Sequence, residues 1–279
     1  MHIDLMEMSP SDFETLCRVL YRLSGLSFKP GKEVLMRARL TARVRALGLG
    51  SFREYLELLQ SGVAEQEYGN LVDVMTINKT SFFREPRHFD LLRTVVLPSL
   101  SKRERVRLWS AACSTGEEPY SIAMILASVL PNTIRRDSRI LATDISGRVL
   151  EHARVGHFDR AVCQDIPEHL RERFLSPVPG EKYLAVRSSI RNLVQFAELN
   201  LMGTWPMKGP FDVIFCRNVM IYFDMAVRQA LADRLWDIMS PGGYLFLGCA
   251  ESLTGLSHQF KAIEPAFYQK PLTNADATH

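Results

Sequence analysis

Two adjacent glutamates, Glu117 and Glu118, follow a strand-like run and a turn with one glycine in the stretch RLWSAACSTGEEPYS, residues 107–121. The pattern predicts a first parallel strand, a loop and a helix, which is the outline of a nucleotide-binding loop. A dinucleotide would need several glycines here, so that its phosphates can reach backbone N–H groups. Only Gly116 is present, and two acids at a helix entrance repel phosphate. The loop therefore predicts a nucleoside ligand without phosphates and with positive charge.

S-adenosylmethionine has these properties, because it combines adenine and ribose with a sulfonium and an α-ammonium group. A carboxylate such as that of Glu118 can pair with the ammonium. The two glutamates can instead simply favour the positive end of the helix dipole, and for Glu117 alone this is our interpretation.

Further polar residues follow the later strands of the predicted sheet. In an open sheet of parallel strands, ligands bind at the carboxyl ends of the strands, where the strand order reverses. Asp144 ends the second strand, where an acid binds ribose hydroxyls in nucleoside-binding sheets. Alternatively, Asp144 or Ser146 caps the next helix. The same edge should hold the residues that follow the remaining strands, Asn200, Leu201, Arg217 and Asn218.

A second polar cluster precedes the sheet in TINKTSFFREP, residues 76–86. It places Asn78, Thr80 and Arg84 around an aromatic pair, Phe82 and Phe83, that we assign to the core. A linker between a helical domain and a sheet lies over the edge of the sheet. The polar groups of this linker can therefore close the cofactor pocket.

The elements that must position these residues change in character along the chain. Residues 9–75 show only helical periodicity, with caps predicted at Ser9 and Ser51 and a stop at Gly25. From about residue 105, strands alternate with helices, which predicts a doubly wound, mostly parallel sheet. The sequence PGG at 241–243 predicts a tight turn into the strand YLFLG, and AIEPAFYQK predicts a final edge hairpin.

The predicted fold class is therefore α/β with an N-terminal all-α domain. We place the helical domain at residues 1–80 and the sheet domain at residues 81–279. A long crossover between the second helix and LVQFAEL predicts a small antiparallel β insertion, at about residues 171–197.

Composition excludes several classes of protein. The net charge of +3 is too small to indicate nucleic-acid binding by itself. The five cysteines make no C-x-x-C pair and the histidines are dispersed, so we predict a reducing cytosol and no metal site. The N-terminal stretch MHIDLMEMSPSDFE is acidic and lacks a long apolar run, so no signal peptide is expected, and no membrane insertion is predicted.

Four long motifs, NKTSFFRE, WSAACSTGEEPYS, FDVIFCRNVMIYF and PGGYLFLG, follow in this order behind a helical region that ends RALGLGSFREYL. Together they closely resemble the CheR family, the bacterial chemoreceptor glutamate O-methyltransferases, over nearly the whole chain. The resemblance implies a class I methyltransferase sheet fronted by an α-helical domain. It also implies cytoplasmic methyl transfer from S-adenosylmethionine to glutamates in the helical region of chemoreceptors, giving methyl esters and S-adenosylhomocysteine in chemotaxis adaptation.

The family's cofactor contacts, carried over motif by motif, coincide with the linker and the strand ends: Asn78, Thr80, Arg84, Glu118, Asp144, Asn200, Leu201, Arg217 and Asn218. The family also places Tyr222, in MIYF, at the reaction centre. A glutamate carboxylate is ionised and nucleophilic at neutral pH, so no general base is needed. We favour Tyr222 as the hydrogen-bonding positioner of that carboxylate, while Arg84 is a second catalytic candidate that can equally be structural.

Other functions of the same fold stay open at this point. A nucleic-acid methyltransferase would present a broad basic surface, and an amino-methylating one would carry an Asn-Pro-Pro-Tyr-like loop where this chain has Arg-Asn-Val-Met-Ile-Tyr. A methyltransferase of another protein, or a non-catalytic receptor-binding adaptor, are further alternatives. The complete set of pocket residues argues against the adaptor.

A basic helix in the helical domain offers a partner surface. Lys32, Arg39 and Arg43 fall within roughly 40° of one another at about 3.6 residues per turn. The plainer interpretation is a solvated face, but the family uses a basic helix here near its acidic receptor substrate. We therefore predict that these three residues bind the substrate. Separately, we expect no nucleic-acid partner and a monomeric protein.

Some members of the family also bind a receptor C-terminal pentapeptide through a glycine-rich turn of the β insertion. The matching turn here, SPVPGEKY at residues 176–183, has one glycine, Gly180, and two prolines, Pro177 and Pro179. Prolines remove backbone donors and stiffen the turn. A pentapeptide tether is therefore not expected.

Overall fold

The computed structural model of the chain describes residues 6–61, 65–76, 78–130 and 137–272. The chain forms two compact units. The first comprises Met1–Ile77 and Tyr222–Val227, and the second comprises Asn78–Ile221 and Arg228–His279. In the described residues, no helix is both long and apolar enough to span a membrane.

The first unit is helical, as predicted. Its described helices are α1 (Pro10–Ser24), α2 (Glu33–Ala46), α3 (Phe52–Gln60) and α4 (Glu65–Met75). The predicted caps of α1 are confirmed: Ser9 accepts from the Asp12 N–H, and Gly25 ends the helix at φ 74°. Ser51 likewise caps α3 by accepting from the Glu54 N–H at 3.2 Å. These local signals set where the helices begin and end.

The helices of the first unit pack through their apolar faces, with α1 against α3 and α4, and α2 against α4. A polar cluster lies among them. Arg43 on α2 forms an ion pair with Glu67 on α4, and the Tyr55 hydroxyl donates to Glu67 Oε1 at 2.7 Å. Because Glu67 and Tyr55 are buried, these bonds satisfy groups that would otherwise be costly to desolvate.

The second unit is built on the predicted sheet, in which the described strands run in the order β6-β2-β1-β7-β8-β10-β9. Strands β6, β2, β1, β7 and β8 pair in parallel, and the final hairpin is antiparallel, as predicted. The order reverses between β1 and β7. The strands are β1 (Arg107–Ser110), β2 (Arg139–Asp144), β6 (Val194–Glu198), β7 (Phe211–Cys216), β8 (Met239–Leu247), β9 (Lys261–Glu264) and β10 (Phe267–Gln269).

Helices connect these strands and cover the sheet. Helix α7 (Glu117–Val129) is buried from Glu117 to Leu126, because its apolar residues join the main core. A longer helical stretch before β1 consists of α5 and α6 with a π-helical segment between them. The bounds are α5 (Pro86–Leu91), the π segment (Leu92–Val96), α6 (Leu97–Ser99), α7 (Glu117–Val129), α8 (Gly147–Val155), α9 (Glu168–Phe174), α10 (Ser188–Arg191) and α11 (Met225–Ile238).

The antiparallel insertion is present, but its bounds differ from the prediction. It is a small sheet of β3 (His157–Asp159), β5 (Tyr183–Val186) and β4 (Leu175–Pro177), in the order β3-β5-β4. The range of about 171–197 was therefore wrong at both ends, since β3 begins earlier and β6 pairs with β2 in the main sheet. A three-residue strand is too short to show the alternation that reveals strands in sequence.

The predicted Pro-Gly-Gly turn is also modified. Strand β8 continues through it, and its register against β7 shifts between the pairs Phe211–Met239 and Val213–Tyr244. Gly242 adopts φ 75°, which the absence of a side chain permits. The turn thus becomes an irregularity within a strand, because hydrogen bonds to β7 resume directly after it.

Candidate cofactor site at the carboxyl edge of the sheet

The loop after β1 is held close to its neighbours by a glycine and a serine. Gly116 has φ 100°, and a Cβ atom added there would lie 2.8 Å from the Ala153 Cβ atom on α8. The glycine is therefore required for packing between this loop and α8. The Ser114 N–H donates to Asp144 Oδ2 at 2.8 Å, and Ser114 Oγ donates to the Asn78 carbonyl at 2.9 Å. Ser114, which the sequence did not single out, thus links the linker, the first loop and the end of β2.

Asp144 lies at the end of β2 and is mostly buried, with 8% of its surface exposed. Its Oδ1 atom accepts from the Ser146 N–H at 3.1 Å. Ser146, not Asp144, caps α8, by accepting from the Val149 N–H at 3.3 Å. This settles which of the two residues caps the helix, and it leaves Asp144 as a strand-end carboxylate fixed by two backbone donors.

Glu118 is buried in an ion pair at the start of α7. Its Oε2 atom accepts from Arg217 Nη1 at 2.8 Å, and its Oε1 atom accepts from Ser110 Oγ at 2.7 Å. Burial raises the pKa of Glu118, and the Arg217 guanidinium opposes that rise. The carboxylate that we assigned to an ammonium group therefore already has an internal cationic partner at the end of β7.

Glu117 is buried too, although we interpreted it as a residue that merely favours the helix dipole. Its Oε2 atom accepts from Thr115 Oγ1 at 2.7 Å, and burial raises its pKa. The first turn of α7 thus carries two buried acidic side chains. A phosphate at this helix entrance would meet both of them.

Arg217 also reaches the linker. Its Nη2 atom donates to Glu85 Oε2 at 2.8 Å and to the Arg84 carbonyl at 2.6 Å. Only 1% of the Arg217 side chain is exposed, against 17% for Glu85. Burial alone would raise the pKa of Glu85, but the hydrogen bond and charge of Arg217 lower it to about 2. Glu85 stands in the motif that suggested the linker site, yet its spacing gave no sign of this contact.

Asn218, next in the chain, is fixed by two acids. Its backbone has φ 58°, its N–H donates to Glu251 Oε2 at 2.8 Å, and its Nδ2 atom lies 3.3 Å from Glu85 Oε1. A Cβ atom at Gly248 would lie 2.5 Å from that Nδ2 atom. Glu251 was not predicted as a site residue, because it lies after β8 in a segment without a recognisable pattern.

Asn200 and Leu201, which follow β6, lie at the same edge. The Leu199 N–H donates to the Asp144 carbonyl at 2.9 Å, which brings the end of β6 beside the end of β2. Asn200 Oδ1 then accepts from the Met202 N–H at 2.9 Å, and Leu201 is buried. In the linker, Thr80 is half-buried, and Arg84 Nη1 donates to the Lys79 carbonyl at 2.8 Å.

The aromatic pair of the linker is buried, with Phe82 1% and Phe83 8% exposed, so its assignment to the core is confirmed. The Phe83 N–H donates to Ser121 Oγ on α7 at 3.0 Å. The pair therefore anchors the linker on α7, so that the polar residues before and after it remain at the edge of the sheet.

The predicted catalytic tyrosine and basic helix belong to the first unit. Tyr222 ends a short 3₁₀ helix (Met220–Tyr222), and its carbonyl accepts from the Ser27 N–H at 2.9 Å. Lys32 is the N-cap residue that precedes α2 and is exposed, whereas Arg39 Nη1, on α2, donates to the Met75 carbonyl at 2.6 Å. With Arg43 paired to Glu67, the three predicted substrate residues differ in their environments, and Lys32 is the most open to solvent.

A trio of possible metal ligands occurs in the described part of the chain. Atoms of Glu85, His88 and Cys249 lie within 4.8 Å of one another. However, the Glu85 carboxylate already accepts from Arg217, Asn218 and the Cys249 N–H, the last at 3.1 Å. A carboxylate offers about four acceptor positions. Little of its capacity is left for a cation, and the Arg217 guanidinium would repel one.

The fold and the edge of the sheet together define a class of protein. A doubly wound sheet has strand-end polar residues at the point where its order reverses, and the first turn of the leading helix is acidic rather than glycine-rich. This set of carboxylates suits a cationic nucleoside better than a phosphate-bearing one. These features are the ones that a class I methyltransferase sheet combines.

Comparisons with known proteins give the family. Residues 78–268 match the CheR methyltransferase, SAM binding domain, and residues 11–76 match the CheR methyltransferase, all-alpha domain. The chain belongs to the CheR methyltransferase family.

Curated relatives agree with this assignment over most of their lengths. A probable chemotaxis protein methyltransferase of Rhizobium etli is 40% identical over 258 residues, covering 90% of this chain and 96% of the relative. The chemotaxis protein methyltransferase of Escherichia coli is 38% identical, covering 91% of this chain and 89% of the relative. That of Borreliella burgdorferi is 34% identical, covering 95% and 96%.

Proposed function

We propose that this methyltransferase transfers a methyl group from S-adenosylmethionine to glutamate side chains in the cytoplasmic helical region of chemoreceptors. The products are glutamate methyl esters and S-adenosylhomocysteine. The observation that carries the cofactor assignment is Asp144, a buried strand-end carboxylate held by the Ser114 and Ser146 N–H groups beside the acidic entrance of α7. The names of the relatives support a role in chemotaxis.

The reaction requires the protein mainly to bind and align the cofactor and the substrate. S-adenosylmethionine supplies a methyl group on a positively charged sulfur. The glutamate substrate is already ionised at neutral pH, so this chain need not remove a proton from it, and the transfer needs no metal. The residues of the carboxyl edge bind the nucleoside and exclude water, which strengthens the attraction between the reacting charges. We assign Tyr222 to orient the incoming carboxylate, with Arg84 as the second candidate.

Substrate recognition is assigned to the helical domain, residues 1–80 in our sequence-based division, and cofactor binding to the remainder of the chain. The basic residues at and after the N-cap of α2, with Lys32 the most exposed, would attract an acidic receptor helix. We propose that the protein works as a monomer and does not dock the receptor C-terminal pentapeptide. The turn before β5 supports the absence of pentapeptide docking, because the Val178 N–H is already bonded to the Tyr183 carbonyl at 3.2 Å.

The test is a methyl-transfer assay with tritiated S-adenosylmethionine. We expect base-labile label on receptor-containing membranes, at similar rates for intact receptors and for receptors that lack their last five residues. Label in nucleic acid, or base-stable label in protein, would favour another methyltransferase of this fold. Receptor binding without any label would favour the adaptor. A large loss of rate on truncation would contradict the tether-independent mode alone.

A further inference from the structure

Glu85 occupies an unusual position in the second unit. It has a left-handed backbone, with φ 61° and ψ 70°, although it is not a glycine and directly precedes Pro86 at the start of α5. Such a conformation is unfavourable for a residue with a side chain and persists only where the surroundings hold it. The contacts of its carboxylate explain what holds it there.

The Glu85 carboxylate joins the linker to the ends of two parallel strands. Oε2 accepts from Arg217 Nη2 at 2.8 Å, after β7, and from the Cys249 N–H at 3.1 Å, after β8. Oε1 lies 3.3 Å from Asn218 Nδ2. One side chain therefore fixes two consecutive residues that the family resemblance assigns to cofactor binding.

We propose that Glu85 is a positioning residue for the cofactor site, which acts by holding Arg217 and Asn218 in their binding orientations. The inference rests on the proposed function, because it takes those two residues as cofactor contacts. Glu85 itself need not touch the cofactor. The left-handed backbone aims its carboxylate at the strand ends, which a glutamate in an ordinary conformation before a proline would not do.

Arg217 shows why two acids are needed. Its guanidinium lies between Glu118 on α7 and Glu85 in the linker, at 2.8 Å from each. With Glu85 neutralised, Arg217 would keep one ionic anchor, and Asn218 would lose a charged acceptor for its amide. The residues that follow β7 would then be free to reorient, and the largest consequence would be a loss of ligand affinity.

The experiment measures S-adenosylhomocysteine affinity by calorimetry in Glu85→Gln, at a temperature where circular dichroism shows the variant folded. We expect a dissociation constant at least tenfold above that of the wild type. Glu264→Gln is the matched control, since Glu264 also forms a two-bond pair with an arginine, Arg87, but among the described residues its side chain makes no hydrogen bond to the segments that follow β7 and β8. Its affinity should stay within twofold.

A double variant separates positioning from a general structural role. If Glu85 acts through Arg217, Glu85→Gln should weaken binding much less in an Arg217→Lys background than in the wild type. A folded Glu85→Gln protein with wild-type affinity, or fully additive effects in the double variant, would overturn the proposal. Failure of the wild type itself to bind S-adenosylhomocysteine would instead contradict the proposed function, and the positioning role with it.

Discussion

Arg217 and Glu118 form a buried ion pair across the carboxyl edge of the sheet. The Nη1 atom of Arg217 lies 2.8 Å from the Oε2 atom of Glu118, and the two side chains are 1% and 11% exposed. A charged pair so far from water is stable only because each partner compensates the other. The pair joins the end of β7 to the first turn of α7, and so couples the integrity of the fold to the geometry of the site.

Removing the cation should therefore be costly. Arg217→Met leaves Glu118 and Glu85 without their shared partner, and we expect a loss of about 3–5 kcal/mol in the free energy of unfolding. Urea denaturation would measure it. Arg87→Met is the control, because Arg87 forms a comparable pair with Glu264 at the surface. Equal effects of the two substitutions would contradict the importance of burial.

Asp144→Ala should abolish cofactor binding while the protein remains folded. A ribose diol would lose a charge-assisted partner, which costs on the order of 2 kcal/mol or more. Calorimetry with S-adenosylhomocysteine measures the affinity, and circular dichroism checks the fold, since Ser114 and Ser146 lose an acceptor as well. Asp165→Ala, at an exposed aspartate, is the control. Wild-type affinity in Asp144→Ala would remove this residue from the site.

Tyr222→Phe should lower turnover by tenfold or more with little change in product affinity. The hydroxyl is assigned to the receptor carboxylate, so its loss should appear in kcat and not in the dissociation constant of S-adenosylhomocysteine. Steady-state kinetics and calorimetry on the same preparation compare the two quantities. If affinity and rate fall together, Tyr222 contacts the cofactor and our assignment is incorrect.

Charge reversal at Lys32, the N-cap residue of α2, should separate recognition from folding. Lys32→Glu, at an exposed position, should reduce kcat/KM for receptors several-fold and leave cofactor affinity unchanged, because an acidic helix would no longer be attracted. The wild-type rate should also fall with added salt. A rate that is insensitive to both changes would restore the interpretation of a solvated face.

Arg43→Glu provides the contrast to that variant. It would place a second acid beside buried Glu67, which now pairs with Arg43 and Tyr55. We therefore expect Arg43→Glu to lower the melting temperature, whereas Lys32→Glu should not. Thermal unfolding of both variants distinguishes a structural charge from one available to a partner.

Acidification should destabilise the second unit through His88. Burial, and then the charge of Arg217, lower the pKa of His88 from 6.5 to about 4, against the opposing charges of Glu85 and Glu264. Below pH 6.5 the unfolded chain binds a proton at His88 that the folded chain refuses until about pH 4. The contribution of His88 to the free energy of unfolding is therefore complete above pH 6.5. It is lost as the pH falls from 6.5 to 4, by on the order of 3 kcal/mol.

Urea denaturation at several pH values in this window checks the expectation. His88→Leu removes the titrating group and should flatten the dependence, while the contributions of the carboxylates remain in both proteins. An equally steep loss of stability in the variant would show that His88 does not carry it.

The sequence alone determined those features of the protein that depend on local periodicity and on motifs. Helix caps at Ser9 and Ser51, the alternation of strands and helices, and the acidic first turn of α7 are all readable from neighbouring residues, because capping and amphipathicity act over a few positions. The family motifs likewise made the methyltransferase class readable from the sequence. Short elements were not predicted correctly, since a strand such as β3 has too few residues to show a period.

Only the tertiary structure decided which side chains meet. Glu85 and Arg217 are 132 positions apart in the chain, and Asn218 and Glu251 are 33 apart. No local pattern encodes such pairings, because they arise when the ends of different strands converge on one edge of the sheet. The same holds for Arg43, whose place on a basic stripe suggested a free charge until α4 supplied Glu67 as its partner. Long-range packing, not residue type, separates the charges that hold the fold from those left to act on a ligand.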